Sequence, residues 1–342
     1  MSTLMQPLKK HPILSGIVTV AIVIAGYFLI GWPQEYPKRY GVTWSSPYAW
    51  SLGLDPNEGL KMVLDDLGVR SFRIPAYWTD IERTQGKYDW TILQEQLDEI
   101  AKRDGSVMLA LGSRQPRWPE CWIPDWVKDL DQKGREAAQL AYVRQTYERF
   151  KDHGAIVSWQ VENEPRFTWY VDCPGLTREL VEQELRYVRG EEASRGALKR
   201  SVITTDSGEL SLWLSFANQT DGLGVSVYRA VINPWFGIIR YSFIPPWAYA
   251  RKAAIVSWLT GPVSVTEFQM EPWSNQPLLE TGLDDQFKTL SLDDFRSRLI
   301  YAERIDVDRI DFWGVEWWLW MKEKRGHPEF WDGMKPVFAE DH

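Results

Sequence analysis

Apolar residues in this chain gather in eight short runs, and between the runs they return every third or fourth position. The runs are Tyr40-Ser45, Val69-Pro75, Ser106-Gly112, Ile156-Val161, Ser201-Thr205, Gly222-Tyr228, Pro262-Glu267 and Arg309-Trp317. They are rich in Val, Ile, Leu and aromatics, as strands buried on both faces tend to be. Helical periodicity covers Asn57-Leu67, Trp90-Arg103, Arg135-Asp152, Thr177-Ser194, Leu210-Asn218, Trp247-Leu259 and Leu292-Ile305. Asp293 and Asp294 stand near the start of the last, where acids favour a helix N-terminus. Eight strands alternating with helices predict an α/β fold with a parallel sheet and right-handed crossovers, and eight strands suffice to close a (β/α)8 TIM barrel. An open doubly wound sheet is the alternative. No G-x-G-x-x-G follows a strand and no Walker-type loop occurs, so a nucleotide partner is not expected.

The N-terminal forty residues follow a different pattern. From Ile13 to Trp32 the segment ILSGIVTVAIVIAGYFLIGW runs for 20 residues without a charge, about the length a helix needs to cross a hydrocarbon core. A cleavable signal peptide is the rival reading, but its apolar region is usually about 7–15 residues and ends in small residues. This run ends in Gly31-Trp32-Pro33, which favours an uncleaved anchor. Lys9 and Lys10 precede it, so the positive-inside bias sets the N-terminus in the cytoplasm. The expected organisation is a short cytoplasmic tail (1–12), a transmembrane signal anchor (13–32), a linker (33–38) and a catalytic domain (39–342). Such a chain is a single-pass protein of the cell membrane with its barrel on the exterior or periplasmic side.

Composition narrows the field. A net charge of -8 over 342 residues leaves no basic stripe to neutralise phosphates, which argues against nucleic acid. No His or Cys spacing suggests a metal site, and no cofactor is expected. The 20 Trp are the unusual count. Packing accounts for many of them. Trp118, Trp122, Trp169, Trp235, Trp247 and Trp273, however, fall in Pro-, Gly- or charge-rich stretches, and loop aromatics lining a cleft offer stacking faces for sugar rings.

Active groups of such barrels stand at the C-terminal ends of the strands. Those ends carry Arg73, Asn163-Glu164, Tyr228, Glu267 and Trp317-Trp318. Two carboxylates at the ends of strands four and seven face each other across the mouth. Such a pair flanks one glycosidic bond in double displacement, with a separation of about 5–5.5 Å when configuration is retained.

The segment Trp159-Gln160-Val161-Glu162-Asn163-Glu164-Pro165 resembles the strand-four signature of clan A glycoside hydrolases, which include families 5, 39 and 42. Val265-Thr266-Glu267-Phe268-Gln269-Met270-Glu271-Pro272-Trp273 is similar to their strand-seven region. Val69-Pro75, with Arg73, and Gly86-Lys87-Tyr88-Asp89-Trp90 are similar to the strand-two Arg and the helix start of the clan. The likeness spans roughly residues 38 to 335. It implies that Glu164 is the acid/base and Glu267 the nucleophile, that Asn163 bonds the sugar 2-hydroxyl, that Arg73 pairs with Glu267 and that Tyr228 orients it. The likeness also implies that Trp318 or Trp317 floors the subsite, while the loop positions of Trp118, Trp169 and Trp273 predict that these line it. Where the clan often has His-x-Tyr on strand six, this chain has Ser226-Val227-Tyr228, and no His ends strand three. Glu162 and Glu271, close in sequence to the two glutamates, read as partners of Arg or backbone groups.

The function expected is hydrolysis of a β-linked glycoside, with a carbohydrate as substrate. A transglycosylase uses the same covalent intermediate, and an inactive sugar-binding protein keeps the tryptophans without needing both acids. Cys121 and Cys173 fall in the loops after strands three and four, where an oxidising compartment permits a disulfide; two free thiols are the alternative.

Overall fold

The computed structural model describes residues 12–32, 35–168, 171 and 173–339. Eight parallel strands form a closed barrel: β1 (Arg39–Thr43), β2 (Ser71–Pro75), β3 (Ser106–Leu111), β4 (Ile156–Val161), β5 (Ser201–Ser207), β6 (Gly222–Val227), β7 (Val263–Gln269) and β8 (Arg309–Trp313). Each pairs with its neighbours in sequence, and β8 closes on β1 through Tyr40↔Ile310 and Val42↔Phe312. Outward residues such as Trp159, Val225 and Phe312 are fully buried beneath the surrounding helices. The barrel interior is polar, with Arg73, Gln160, Thr205 and Thr266 all buried.

Local chemistry starts the helices. Asp55 accepts from the backbone N–H groups of Asn57 (2.9 Å) and Glu58 (3.0 Å) ahead of Pro56–Asp65, with Pro56 in the first turn. Ser291 and Asp294 form a reciprocal capping box for Leu292–Glu303.

Two expectations are corrected. No helix forms over Leu210-Asn218: Trp213 and Asn218 adopt φ of 66° and 63°, and the Ser211 hydroxyl takes the Trp213 N–H at 3.1 Å. That local bond competes with helical pairing, and the buried Trp213 ring ties itself to the carbonyl of Ser207 at 3.0 Å instead. The eighth strand stops at Trp313 rather than Trp317. Gly314, at φ 130°, turns the chain into the helix Val315–Trp320. A Cβ at Gly314 would stand 2.7 Å from the Cβ of Glu271, so only glycine fits.

An antiparallel hairpin, Ala230–Asn233 with Gly237–Arg240, is inserted after β6. At the other end of the chain, Pro12–Leu29 forms an 18-residue helix. Among the described residues no helix is long and apolar enough to cross a membrane; eighteen residues reach about 27 Å, against about 30 Å of hydrocarbon. The end of this helix rests on the helix Pro246–Thr260, where the Arg251 guanidinium donates to the carbonyls of Tyr27 and Ile30.

Candidate active site

Glu267 points into the barrel because β7 carries an irregularity. Val225 and Ser226 of β6 pair with Val265 and Glu267, passing over Thr266, and β8 shifts register across the same stretch. The extra residue reverses the alternation of side chains, the usual effect of a bulge beside a functional site. Glu267 then meets Arg73, whose Nη1 donates to Oε1 at 2.7 Å, while the Tyr228 hydroxyl donates to Oε2 at 3.1 Å. Arg73 is wholly buried and spends its other nitrogens on Gln160 (2.7 Å) and Asn163 (2.7 Å). Burial and the Glu267 charge push the Tyr228 hydroxyl well above its ordinary pKa, so it remains a donor.

The turn after β4 is strained. Glu162 and Glu164 both occupy the left-handed region, at φ 58° and 45°, on either side of Asn163. Such residues cost on the order of 1–3 kcal/mol each and persist where the surroundings fix them. Glu162 is fixed by the backbone N–H groups of Ser113 (2.8 Å) and Arg114 (2.6 Å) and by Gln139 (2.8 Å). A Cβ at Gly112 would lie 2.1 Å from its carboxylate, which explains the glycine at the end of β3. Glu162 therefore binds the β3 loop, and the alternation that would have placed it with Glu164 is broken. The Asn163 side-chain oxygen accepts from Arg73 and from the Thr205 hydroxyl (2.9 Å), which leaves its amide NH2 as the donor side.

Glu164 has fewer partners. Its backbone N–H is held by Thr205 at 2.8 Å and its Oε1 takes the Ser226 hydroxyl at 2.6 Å. Burial first, and then the Glu267 charge, push its carboxyl up to about 8, against the opposing pull of Ser226. One carboxylate is thus fixed by a cation and a phenol, and the other is held near neutrality in its acid form. Ser226, near the end of β6, and Tyr228, just beyond it, serve one glutamate each.

A second buried cluster adjoins this pair. Arg117, in the loop after β3, forks its Nη1 to Glu271 and its Nη2 to Glu316. Its guanidinium lies between the rings of Tyr48 (3.9 Å) and Trp313 (4.0 Å). Burial pushes Glu316 up to about 7 against the pull of Arg117. In the same loop Arg114 pairs with Glu120 at 2.7 Å.

The strand-eight tryptophans are not at the mouth, which corrects the expectation for them. Trp317 and Trp318 are fully buried, with indole N–H groups bonded to Gln286 (2.8 Å) and the carbonyl of Met270 (2.7 Å). The turn at Gly314 carries both away, and Trp313 borders the site instead. Trp273 meets Tyr228 edge-on at 5.4 Å, and Trp118 is exposed at the tip of the Arg117 loop. Trp169 lies outside the described residues. Cys121 and Cys173 are disulfide-bonded, with Cα atoms 5.4 Å apart, and join the loops after β3 and β4.

No family model matches the chain. Solved structures do. The GH5_18 protein of Bifidobacterium longum aligns over 81% of this chain and 70% of its own, at 12% identity and a TM-score of 0.56. An exo-β-1,4-mannosidase from an Opitutaceae bacterium aligns over 83% and 54%, at 16% identity and 0.51. The β-galactosidase of the psychrophilic Marinomonas ef1 aligns over 80% and 53%, at 14% identity and 0.51. The chain shares the closed (β/α)8 barrel fold of these proteins. It spans about half the length of the mannosidase and the galactosidase.

On this barrel the structure brings together Arg73, Asn163, Glu164, Tyr228 and Glu267. Sequence reasoning missed Thr205, Trp313, Arg117 and Glu316, expected an Arg or backbone partner for Glu271, which Arg117 supplies, and met Ser226 only as a departure from His. The signal for Arg117 is faint: a lone Arg in PRWPECWIP, whose partners Glu271 and Glu316 lie far along the chain.

Proposed function

We propose that this protein is a retaining glycoside hydrolase acting on a β-linked glycoside, with Glu267 as nucleophile and Glu164 as acid/base. The observation that carries the reading is the unequal treatment of two facing glutamates. Glu267 is gripped by Arg73 and Tyr228, whereas Glu164 is pushed toward its protonated form. This is the division of labour that double displacement needs. Glu164 donates its proton to the glycosidic oxygen as that C–O bond breaks, and Glu267 Oε2 or Oε1 bonds the anomeric carbon. Glu164, now a carboxylate, takes a proton from water, whose oxygen attacks the same carbon and frees Glu267. The Asn163 amide, with its oxygen committed to Arg73 and Thr205, has its NH2 to offer a ring hydroxyl next to the anomeric centre. Fold neighbours named as a β-galactosidase and an exo-β-1,4-mannosidase support a β-linked hexoside as substrate.

The test is a 2-fluoro glycoside with a good leaving group, which slows both steps but spares the first. Peptide mapping should find the label on Glu267. A label on Glu271, or none with a sugar the protein hydrolyses, overturns the assignment.

The same reading includes a membrane anchor formed by the uncharged segment 13–32. Its support is a helix whose large apolar side chains, such as Ile17, Ile22 and Val23, are exposed along its length.

A further inference from the structure

Glu120 takes no part in the reaction above, yet the loop after β3 holds it in a fixed pose. Its φ is 65° and that of Arg117 is 81°, so two residues of one short loop occupy the left-handed region. Such backbone persists only where the surroundings fix it, and it gathers at functional sites. Here the Gln115 N–H donates to the Glu120 carbonyl and the Glu120 N–H to the Arg117 carbonyl, each at 2.8 Å. Arg114 and Cys121 pair as an antiparallel bridge, and the disulfide ties Cys121 to Cys173. Buried Arg114 completes the mounting: its Nε (3.2 Å) and Nη2 (2.7 Å) both donate to one carboxylate oxygen of Glu120, Oε2.

The other oxygen, Oε1, takes no hydrogen bond from any described residue. It is also reachable, since the side chain is 30% exposed and Oε1 is not sealed from solvent. At the same time the group is recessed. Burial raises the pKa of its carboxyl against the pull of Arg114, and the Glu267 charge adds to the rise; the Glu120 charge in turn helps to raise Glu164. A group surrounded by protein, open to solvent and within charge range of both catalytic glutamates lines the cleft they share.

The three carboxylates of that cleft are matched differently. Glu267 has Arg73 and Tyr228, and Glu164 has Ser226 and its own proton. Glu120 has one oxygen filled and one open. A rigidly mounted carboxylate with a free oxygen is an acceptor placed in advance, and in a site for sugars the donors that arrive are hydroxyls. We propose that Glu120 Oε1 accepts a hydroxyl of the sugar ring held against Glu267, other than the one next to the anomeric carbon, which makes Glu120 a specificity-determining residue. The proposal rests on the catalytic reading of Glu267 and Glu164.

It is tested on the full-length protein with the aryl β-glycoside of an accepted sugar and its monodeoxy analogues, at a pH well below the alkaline limb, where Glu164 keeps its proton in wild type and variant alike. One of the analogues should lose about 10- to 100-fold in kcat/KM, the size of a hydrogen bond to a charged acceptor. Glu120→Gln keeps an oxygen for Arg114 and puts a donor where Oε1 stood. It should lose a similar factor on the parent sugar and little more on that analogue, so the two losses do not multiply. A role confined to holding Arg114 predicts losses that multiply at every ring position; that result, or an unchanged kcat/KM in Glu120→Gln, overturns the proposal. If Glu120→Gln fails to fold, Glu120→Asp repeats the cycle, since it keeps the charge and withdraws the oxygen. Labelling of Glu267 by the 2-fluoro glycoside separates the two readings: label without the coupling sinks Glu120 alone, and label absent from the wild type sinks the catalytic assignment.

Discussion

Glu164 needs its proton to act, and the pH at which it gives that proton up depends on what surrounds it. Burial and the nearby Glu267 hold it near 8, and the Ser226 hydroxyl pulls the other way by favouring the carboxylate. For substrates with poor leaving groups, kcat/KM should therefore fall as pH rises through about 8, when the acid is lost. Ser226→Ala removes a donor that stabilises only the charged form, so the alkaline limb should move to higher pH. Aryl glycosides with activated leaving groups should show a weaker limb in both proteins. A limb that Ser226→Ala leaves in place, or moves downward, assigns the titration to another group. At this scale the sequence was informative where a motif names its own chemistry: Arg73, Asn163, Tyr228 and the two glutamates stand in recognisable strings. Ser226 was visible only as a missing His, because nothing in a serine announces that it will stand 2.6 Å from a carboxylate.

The elements were legible wherever burial on both faces made strands apolar and helices periodic. They failed at changes of direction. The Leu210-Asn218 pattern looks helical because its leucines and Trp213 are spaced for it, but left-handed residues and the Ser211 hydroxyl break it into turns. In the run Arg309-Trp317 charged and apolar residues alternate on both sides of Gly314, and only the conformation of that glycine tells where strand becomes helix. That single turn moved two tryptophans out of the site and left Trp313 beside it. The loops after β3 and β4 carry Arg117 on one side and follow Glu164 on the other, and the Cys121–Cys173 bond joins them across a separation of 52 residues. Closing a loop of that length is worth about 4 kcal/mol in the chain-entropy account, with about 2–4 commonly realised. Replacing both cysteines with serine should lower Tm by roughly 4–8 °C. It should also raise KM more than it lowers kcat, as the mouth loses order. Calorimetry and steady-state kinetics on the disulfide-bonded protein and the double serine variant check this; an unchanged Tm and KM would show that the loops hold themselves.

At the scale of the whole molecule, the closed barrel followed from counting strands, whereas the relation of the N-terminal helix to the barrel had no trace in the sequence. Arg251 sits in an ordinary helical stretch, and its partners are backbone carbonyls, which carry no residue identity. If the segment 13–32 anchors the protein, the full-length chain should stay with membranes after a carbonate wash, and a chain beginning near Pro37 should be soluble and active. A processed form starting near residue 30 would identify a signal peptide instead. The Arg251 contact then bears on geometry. A barrel joined to its anchor by residues 33–38 alone would sample any tilt, on a leash a few residues long. One whose own helix grips the final carbonyls of the anchor is mounted on a bracket. Its mouth would keep a fixed height and heading above the lipid, so the protein would work on glycans that pass at that level and ignore those lying flat beneath it.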